Sequence, residues 1–460
     1  MNARHEMPEQ DPETRRDNFD EVPLGYDEKT AMAEAARCLQ CKNPVCVAAC
    51  PVSVPIPQFI GHIKDGDFNA AARAVLSRNS LPAVCGRVCP QETQCEGACV
   101  LARKNCAVAI GALERFVADR LASGEGSAAP GIAPATGKKV AVIGSGPGSL
   151  TVAGDLIRRG HGVTVFEAFH QPGGVLVYGI PEFRLPEKVV ESDLKMLTDM
   201  GVDIKCNVVV GKTLTIDQLL GQQGFDAVYI GAGAGLPLFL DIEGENLNGV
   251  YSANEYLTRS NLMKARLFPE NATPVLRGRN VCVFGGGNVA MDALRTAIRM
   301  GAESATCVYR RGREEMPARQ EEIRHAEEEG VKFLFLQAPA RFIGDEKGRL
   351  CAVQLQEMRL GQPDQSGRRR PEPVPGAVTT LDCDMAVIAV GSGPNPVVGS
   401  ATADLKVDSR GYIIADEHGR TSKEKVWAGG DIVTGAATVI LAAGAGRKAS
   451  DSMHEYLTSG

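Results

Sequence analysis

A chain of 460 residues has room for about three domains at ~150 residues each, and 44% hydrophobic with 23% charged residues is an ordinary globular composition. The net charge of -6 and pI of 5.8 exclude nucleic acid as the main partner, because phosphate binding needs a basic surplus. No apolar run approaches the ~20 residues that cross a bilayer, and the charged stretch Met1 to Phe19 lacks the apolar core of a secretory signal, so the expectation is a soluble cytoplasmic protein.

In chain order, amphipathic stretches predict helices over Glu28–Gln40, Ile56–Ser77 and Ile110–Leu121. Nine of the fourteen cysteines lie from Cys38 to Cys106, around and between these stretches. The first group, Cys38-x2-Cys41-x4-Cys46-x3-Cys50-Pro51, has the spacing of an iron–sulfur ligand run, in which soft thiolates wrap a cubane. The second is Cys85-x3-Cys89-Pro90-x5-Cys95-x3-Cys99. Zinc and a disulfide framework are the competing readings. Two [4Fe–4S] clusters need eight ligands, and the best-placed cysteines number seven: Cys38, Cys41, Cys46, Cys50, Cys89, Cys95 and Cys99. A non-cysteine ligand is therefore expected. Residues 1–122 form a helical domain with a modest apolar core of its own, closed by a proline-marked linker over 123–137.

Beyond the linker one signal occurs twice. The strands Lys139–Val142 and Val281–Phe284 run into Gly144-x-Gly146-x-x-Ser149 and Gly285-x-Gly287-x-x-Ala290, then into helices ending at Gly160 and Gly301. Second strands follow, Val163–Phe166 and Thr306–Tyr309, so each is a complete βαβ unit fit to hold a pyrophosphate at its helix N-terminus. Glu167 ends the first, placed to accept hydrogen bonds from a ribose diol. Arg310-Arg311, with Arg313 behind, ends the second, and these suit the 2′-phosphate of NADP(H); solvated surface arginines are the plain alternative. Near the C-terminus, strand Val426-Trp-Ala leads into Gly429-Gly430-Asp431 and a small-residue helix start over Ala436–Ala445. Close backbone packing there suits a flavin, with Asp431 on its ribityl or phosphate end or merely capping the helix. The fold class is α/β: an FAD domain in two parts, 138–265 and 381–460, with an NADP(H) domain, 266–380, inserted in it.

Five stretches carry a family resemblance: Arg37-Cys-Leu-Gln-Cys-Lys-Asn-Pro, Cys85-Gly-Arg-Val-Cys-Pro-Gln-Glu, Tyr178-Gly-Ile-Pro-Glu-Phe-Arg-Leu-Pro186, Val308-Tyr-Arg-Arg-Gly-Arg-Glu-Glu-Met-Pro317 and Ala428-Gly-Gly-Asp-Ile-Val-Thr-Gly435. Over nearly its full length the chain resembles the iron–sulfur flavoproteins typified by the small subunit of NADPH-dependent glutamate synthase and the N-terminal half of dihydropyrimidine dehydrogenase. Within them, Met7–Pro12 and Gly233–Glu245 are similar to the large subunit of the electron-bifurcating NADH-dependent reduced ferredoxin:NADP oxidoreductase. The resemblance implies that one cluster takes Cys38, Cys41, Cys46 and Cys99, and the other Cys50, Cys89, Cys95 and Glu114. Cys106 is the rival for Glu114's place. Cys85 matches no family ligand and is expected to be structural, as are Cys206, Cys282, Cys307, Cys351 and Cys383 on apolar strands.

The FAD candidates are Gly144, Gly146, Gly148, Ser149, Glu167, Gly174, Arg184, Gly430 and Asp431; those for NADP(H) are Gly285, Gly287, Asn288, Ala290, Arg310, Arg311 and Arg313. Ser149 departs from the family's glycine and could loosen helix packing. Arg184 is expected either to stabilise reduced flavin or to pair with Glu182 or another neighbour. The implied activity is hydride exchange between NADP(H) and FAD, without side-chain acid–base chemistry, followed by single-electron transfer through the clusters. The implied partners are a smaller NAD-binding flavoprotein subunit and ferredoxin, or a glutamate synthase large subunit; a non-catalytic relay adaptor is the third reading.

Overall fold

The structure is a computed structural model and describes residues 3–104, 106–125, 131–363 and 367–459. Residues 126–130, the middle of the expected linker, lie outside the described residues.

The N-terminal region is helical, as its patterning requires, but its helices are shorter than the periodicity suggests. The stretch Ile56–Ser77 divides into Ile56–Lys64 and Phe68–Leu76. Gly66 sits between them at φ +78°, and the Asp67 side chain accepts from Ala70 N to start a new helix. The first helix is Glu28–Ala35 rather than Glu28–Gln40, because the chain tightens into i−3 bonds at Arg37 and Cys38 before the cysteine loop. Ile110–Ala122 matches its expected range.

Two five-stranded parallel sheets follow. In the first, the spatial order is Val426–Ala428, Ala227–Ile230, Lys139–Ile143, Gly162–Phe166 and Asp203–Lys205. In the second it is Val250–Ser252, Met385–Ile388, Asn280–Phe284, Ser304–Tyr309 and Lys332–Phe335. Their central strands are buried on both faces, as parallel strands covered by helices must be. The expected boundaries at 266 and 380 are therefore corrected. Val250–Ser252 and Met385–Ile388 pair with each other inside the second sheet, so the inserted unit starts before residue 266 and continues past 380. A three-residue strand is too short to announce itself by periodicity. Leu236–Pro237 and Ser392–Gly393 pair antiparallel where the chain enters and leaves the insertion.

The second unit also carries an antiparallel ribbon of Gln337–Gly344, Leu350–Pro363 and Arg369–Asp382. The cysteine domain does not have the separate modest core expected of it. Phe59, Ile60, Val84 and Leu113 share one buried cluster with Val140, Leu150, Leu156 and Leu197 of the first nucleotide unit. That continuity fixes the cysteine loops rigidly to the first sheet.

Candidate functional site

Two thiol groups emerge from the helical domain, interleaved in sequence. Cys38, Cys41, Cys46 and Cys99 line one small cavity walled by Val45, Ile56, Ile60 and Ile110. The short helix Val45–Ala48 directs Cys46 into it. Burial pushes the Cys46 thiol up to about 11, and neighbouring Cys38 and Cys99 add to the rise. Cys38 is raised likewise, by burial and then by Cys41 and Cys99. A four-thiol cavity in which burial and neighbouring thiols resist ionisation of Cys38 and Cys46 suits a cationic iron centre, which would supply the missing positive charge.

The second group collects Cys50, Cys89 and Cys95 around Glu114, whose charge acts on all three. Glu114 is half-buried, and desolvation pushes it up to about 7, against a hydrogen bond from Asn79 Nδ2 at 2.7 Å. A carboxylate held in a thiol-lined interior fits a metal ligand better than a solvated helix residue. Cys106 faces elsewhere: its Sγ donates to the Leu101 carbonyl at 3.7 Å. Cys85 stands closer than its expected structural role implied, hydrogen-bonded with Cys89 and with Asn79 Oδ1, the same Asn79 that contacts Glu114. The helix Pro82–Val88 explains this, since Cys85 and Cys89 lie four residues apart on one face. Sequence reasoning missed that juxtaposition, and the i, i+4 spacing was its available signal.

At the first sheet, Gly144 turns at φ +86°, where a Cβ would meet the Gly231 carbonyl oxygen at 2.7 Å. Gly146 caps the helix Pro147–Arg158 and has no atom within 4 Å of an added Cβ, so this face of the turn is open to a ligand. Glu167 is buried over the turn, accepting from Ser145 N and Oγ at 2.9 and 2.5 Å and from Phe169 N at 2.8 Å. Gly173 N donates to Ser145 Oγ, and Gly174 follows at φ +56° against Gly146. Opposite, Gly430 at φ +74° leads into Asp431, whose Oδ1 is buried with no hydrogen-bond partner among the described residues. Burial pushes Asp431 up to about 6, against a hydrogen bond from Ala437 N. Tyr178 is pushed up to about 12 by burial and by the charges of Asp431 and Glu167. An orphaned carboxylate oxygen beside an open glycine cradle fits a bound flavin nucleotide and exceeds what a cap requires. Ser149 does not loosen the packing: it is buried against Gly231, which leaves room for its Oγ, while Gly148 approaches the Ala442 carbonyl.

At the second sheet Gly285 turns at φ +148° against Ala389, and Gly287 caps the helix Asn288–Arg299, which buries Ala290 at its first turn. Asn288 Oδ1 accepts from Arg319 N at 2.9 Å, so it shapes the turn. The three arginines separate. Arg310 is exposed, Arg311 is buried with its Nε donating to the Arg369 carbonyl at 2.9 Å, and Arg313 is turned into an ion pair with Glu327. Arg313 thus stands apart from the other two.

Arg184 takes the pairing alternative, with partners other than Glu182. Its guanidinium pairs with both Asp292 oxygens at 2.8 and 2.7 Å and with Glu322 at 2.9 Å, all buried. Burial opposes the charge on Glu322, yet Arg184 and Arg295 hold its carboxyl down to about 2. These carboxylates belong to the second nucleotide unit, so Arg184 pins the two units together. Glu182 pairs instead with Arg266, at 3.7 Å.

Comparison with known proteins bears on this arrangement. Residues 15–125 match the family model described as dihydropyrimidine dehydrogenase domain II, 4Fe-4S cluster, and residues 138–446 match that of pyridine nucleotide-disulphide oxidoreductases. The glutamate synthase [NADPH] small chain of Halomonas elongata is 39% identical over 97% of this chain and 96% of its own length. The chain belongs to the glutamate synthase small-chain family. It is an NADP-linked iron–sulfur flavoprotein oxidoreductase. Another relative, the NADP(+)-dependent formate dehydrogenase subunit beta of Moorella thermoacetica, is 38% identical over 90% of this chain and 60% of its own length. The fold of the nucleotide units is shared with Mycobacterium tuberculosis FprA in complex with NADPH, at TM-score 0.59 and 21% identity over 71% of this chain and 85% of that one. Among the described residues of this small-chain family member, no helix is long and apolar enough to cross a membrane.

Proposed function

We propose that this protein takes reducing equivalents from NADP(H) at the second cradle and delivers them as single electrons to a separate subunit. FAD bound at the first cradle would exchange hydride with the nicotinamide, and two [4Fe–4S] clusters would carry electrons onward. The observation that carries this reading is the single core joining both thiol groups to the first nucleotide sheet, because electron transfer needs fixed separations. The protein's contribution is geometric. Gly144, Gly146, Gly174, Glu167 and Asp431 would hold the flavin nucleotide; Gly285, Gly287, Arg310 and Arg311 would hold the pyridine nucleotide. Cys38, Cys41, Cys46 and Cys99 would hold one cluster, and Cys50, Cys89, Cys95 and Glu114 the other.

The electron acceptor is proposed to be the large subunit of a glutamate synthase, because a relative of matching length bears that name. The second reading is the bifurcating ferredoxin:NADP oxidoreductase, favoured by the Met7–Pro12 and Gly233–Glu245 segments. Anaerobic purification of the native protein, with the mass and cofactors of what accompanies it, decides between them. A partner several times larger supports the first, a smaller flavoprotein the second, and a chain that holds neither flavin nor iron overturns both.

A further inference from the structure

The antiparallel ribbon is longer than its packing requires. Its near half is anchored: Phe342, Val353 and Leu355 share a buried core with Cys282, Phe284 and Val308 of the second sheet. Past the register shift between Gln356 and Met358, the strands run on to Pro363 and Arg369 with mostly exposed side chains. Solvent-facing strands contribute little stability of their own, so the far half invites another explanation.

The far half leads back to the nucleotide cradle. The Arg311 carbonyl accepts from Leu336 N at 3.1 Å, and the Leu336 carbonyl accepts from Met358 N of the ribbon at 2.8 Å. Arg311 Nε then donates to the Arg369 carbonyl at 2.9 Å, and Arg369 closes the ribbon by donating to the Gly361 and Leu360 carbonyls at 3.2 and 2.7 Å. The turn after Ser304–Tyr309 is thus tied to the ribbon at both its backbone and its buried guanidinium. A planar guanidinium fixed at Nε has its orientation set, which is what bidentate recognition of a phosphate demands.

We propose that the far half of the ribbon is a specificity element: through the Arg369 carbonyl it positions Arg311, and with it the adjoining Arg310, for the 2′-phosphate of a phosphorylated dinucleotide. The proposal rests on the reading of the second cradle as an NADP(H) site. Arg369 acts as a positioning residue through its main chain, so its side chain need not touch the nucleotide.

The test uses the cofactor-loaded full chain and two small probes, 2′,5′-ADP and 5′-AMP, with binding measured by calorimetry. In one variant Arg359–Glu372 are replaced by a flexible Gly-Ser-Gly-Gly linker, which spans the short gap between Met358 and Pro373, partners across the ribbon. The unaltered protein is expected to prefer 2′,5′-ADP by about a hundredfold, and the shortened ribbon to lose about tenfold of that preference. Its affinity for 5′-AMP is expected to hold, which a general loosening of the unit would not allow. If the shortened chain does not fold, Arg369→Ala tests the same link, since it removes the bonds to the Gly361 and Leu360 carbonyls that hold the Arg369 main chain against Arg311. Unchanged discrimination in the folded variant overturns the ribbon's role alone. An unaltered protein that binds both probes equally overturns the NADP(H) assignment and the proposal with it.

Discussion

Asp431 holds a buried carboxylate oxygen without a partner, and that arrangement has a pH signature. Its folded-state value, about 6, lies above the ordinary 3.8, so the folded protein keeps a proton that the unfolded chain has released. Stability from this group is present below pH ~4 and is lost as pH rises through 6, by at most about 3 kcal/mol at ~1.4 kcal/mol per unit. In flavin-free protein, Asp431→Asn is expected to raise the unfolding midpoint at pH 7.5 more than at pH 5, while flavin retention falls. Denaturation at the two pH values, beside flavin absorbance, checks both; an equal shift at each pH contradicts the account. Glu114 makes the complementary case. Glu114→Ala is expected to lose about half of the bound iron, whereas Glu114→Cys retains iron and shifts one cluster potential. Iron analysis and a redox titration decide this, and two unchanged potentials in the cysteine variant would count against Glu114 as ligand.

Between elements, close approach and paired charge set the geometry. Gly86 lies on the helix Pro82–Val88, where an added Cβ would meet the backbone of Arg115 at 2.7 Å on the helix Ile110–Ala122. These two helices bring Cys85 and Glu114 together. Gly86→Ala is expected to force them apart, destabilising by roughly 1–3 kcal/mol as overpacked cores do and depleting the second cluster first. Thermal unfolding with iron analysis tests this. Arg184→Ala strands Asp292 as a buried charge without its ion-pair partner and leaves Glu322 to Arg295 alone, with an expected loss of roughly 3–5 kcal/mol. Flavin binding itself should survive that change; a variant with normal stability but no flavin would restore the flavin-stabilising role. Both features were hidden in the sequence. Arg184 sits in a loop whose partners lie 108 and 138 positions away, and no local pattern encodes that distance.

At the scale of the whole molecule, the readable parts were those with a short-range chemical rule. Each glycine turn declared its strand and helix, and the cysteine intervals announced two thiol-rich runs, whereas the sorting of those thiols into interleaved groups came from the family resemblance and from no spacing rule. Parts decided by distant pairing were not readable. The inserted unit's true limits depend on Val250–Ser252 finding Met385–Ile388, and the shared core depends on helices 59–113 meeting strands after residue 139. The arginines after Tyr309 show both cases, since their position was legible but their division into Arg310, Arg311 and Arg313 was settled by the ribbon and Glu327.

The proposed function requires a continuous path from a pyridine nucleotide through flavin to iron–sulfur clusters within one chain. Anaerobic titration of the purified, cofactor-loaded protein with NADPH, followed by visible absorbance and low-temperature electron paramagnetic resonance, tests it directly. Bleaching of the flavin followed by signals of reduced [4Fe–4S] clusters, with NADH far less effective, is the predicted result. Flavin reduction that never reaches the clusters, or equal reduction by NADH, would contradict the account.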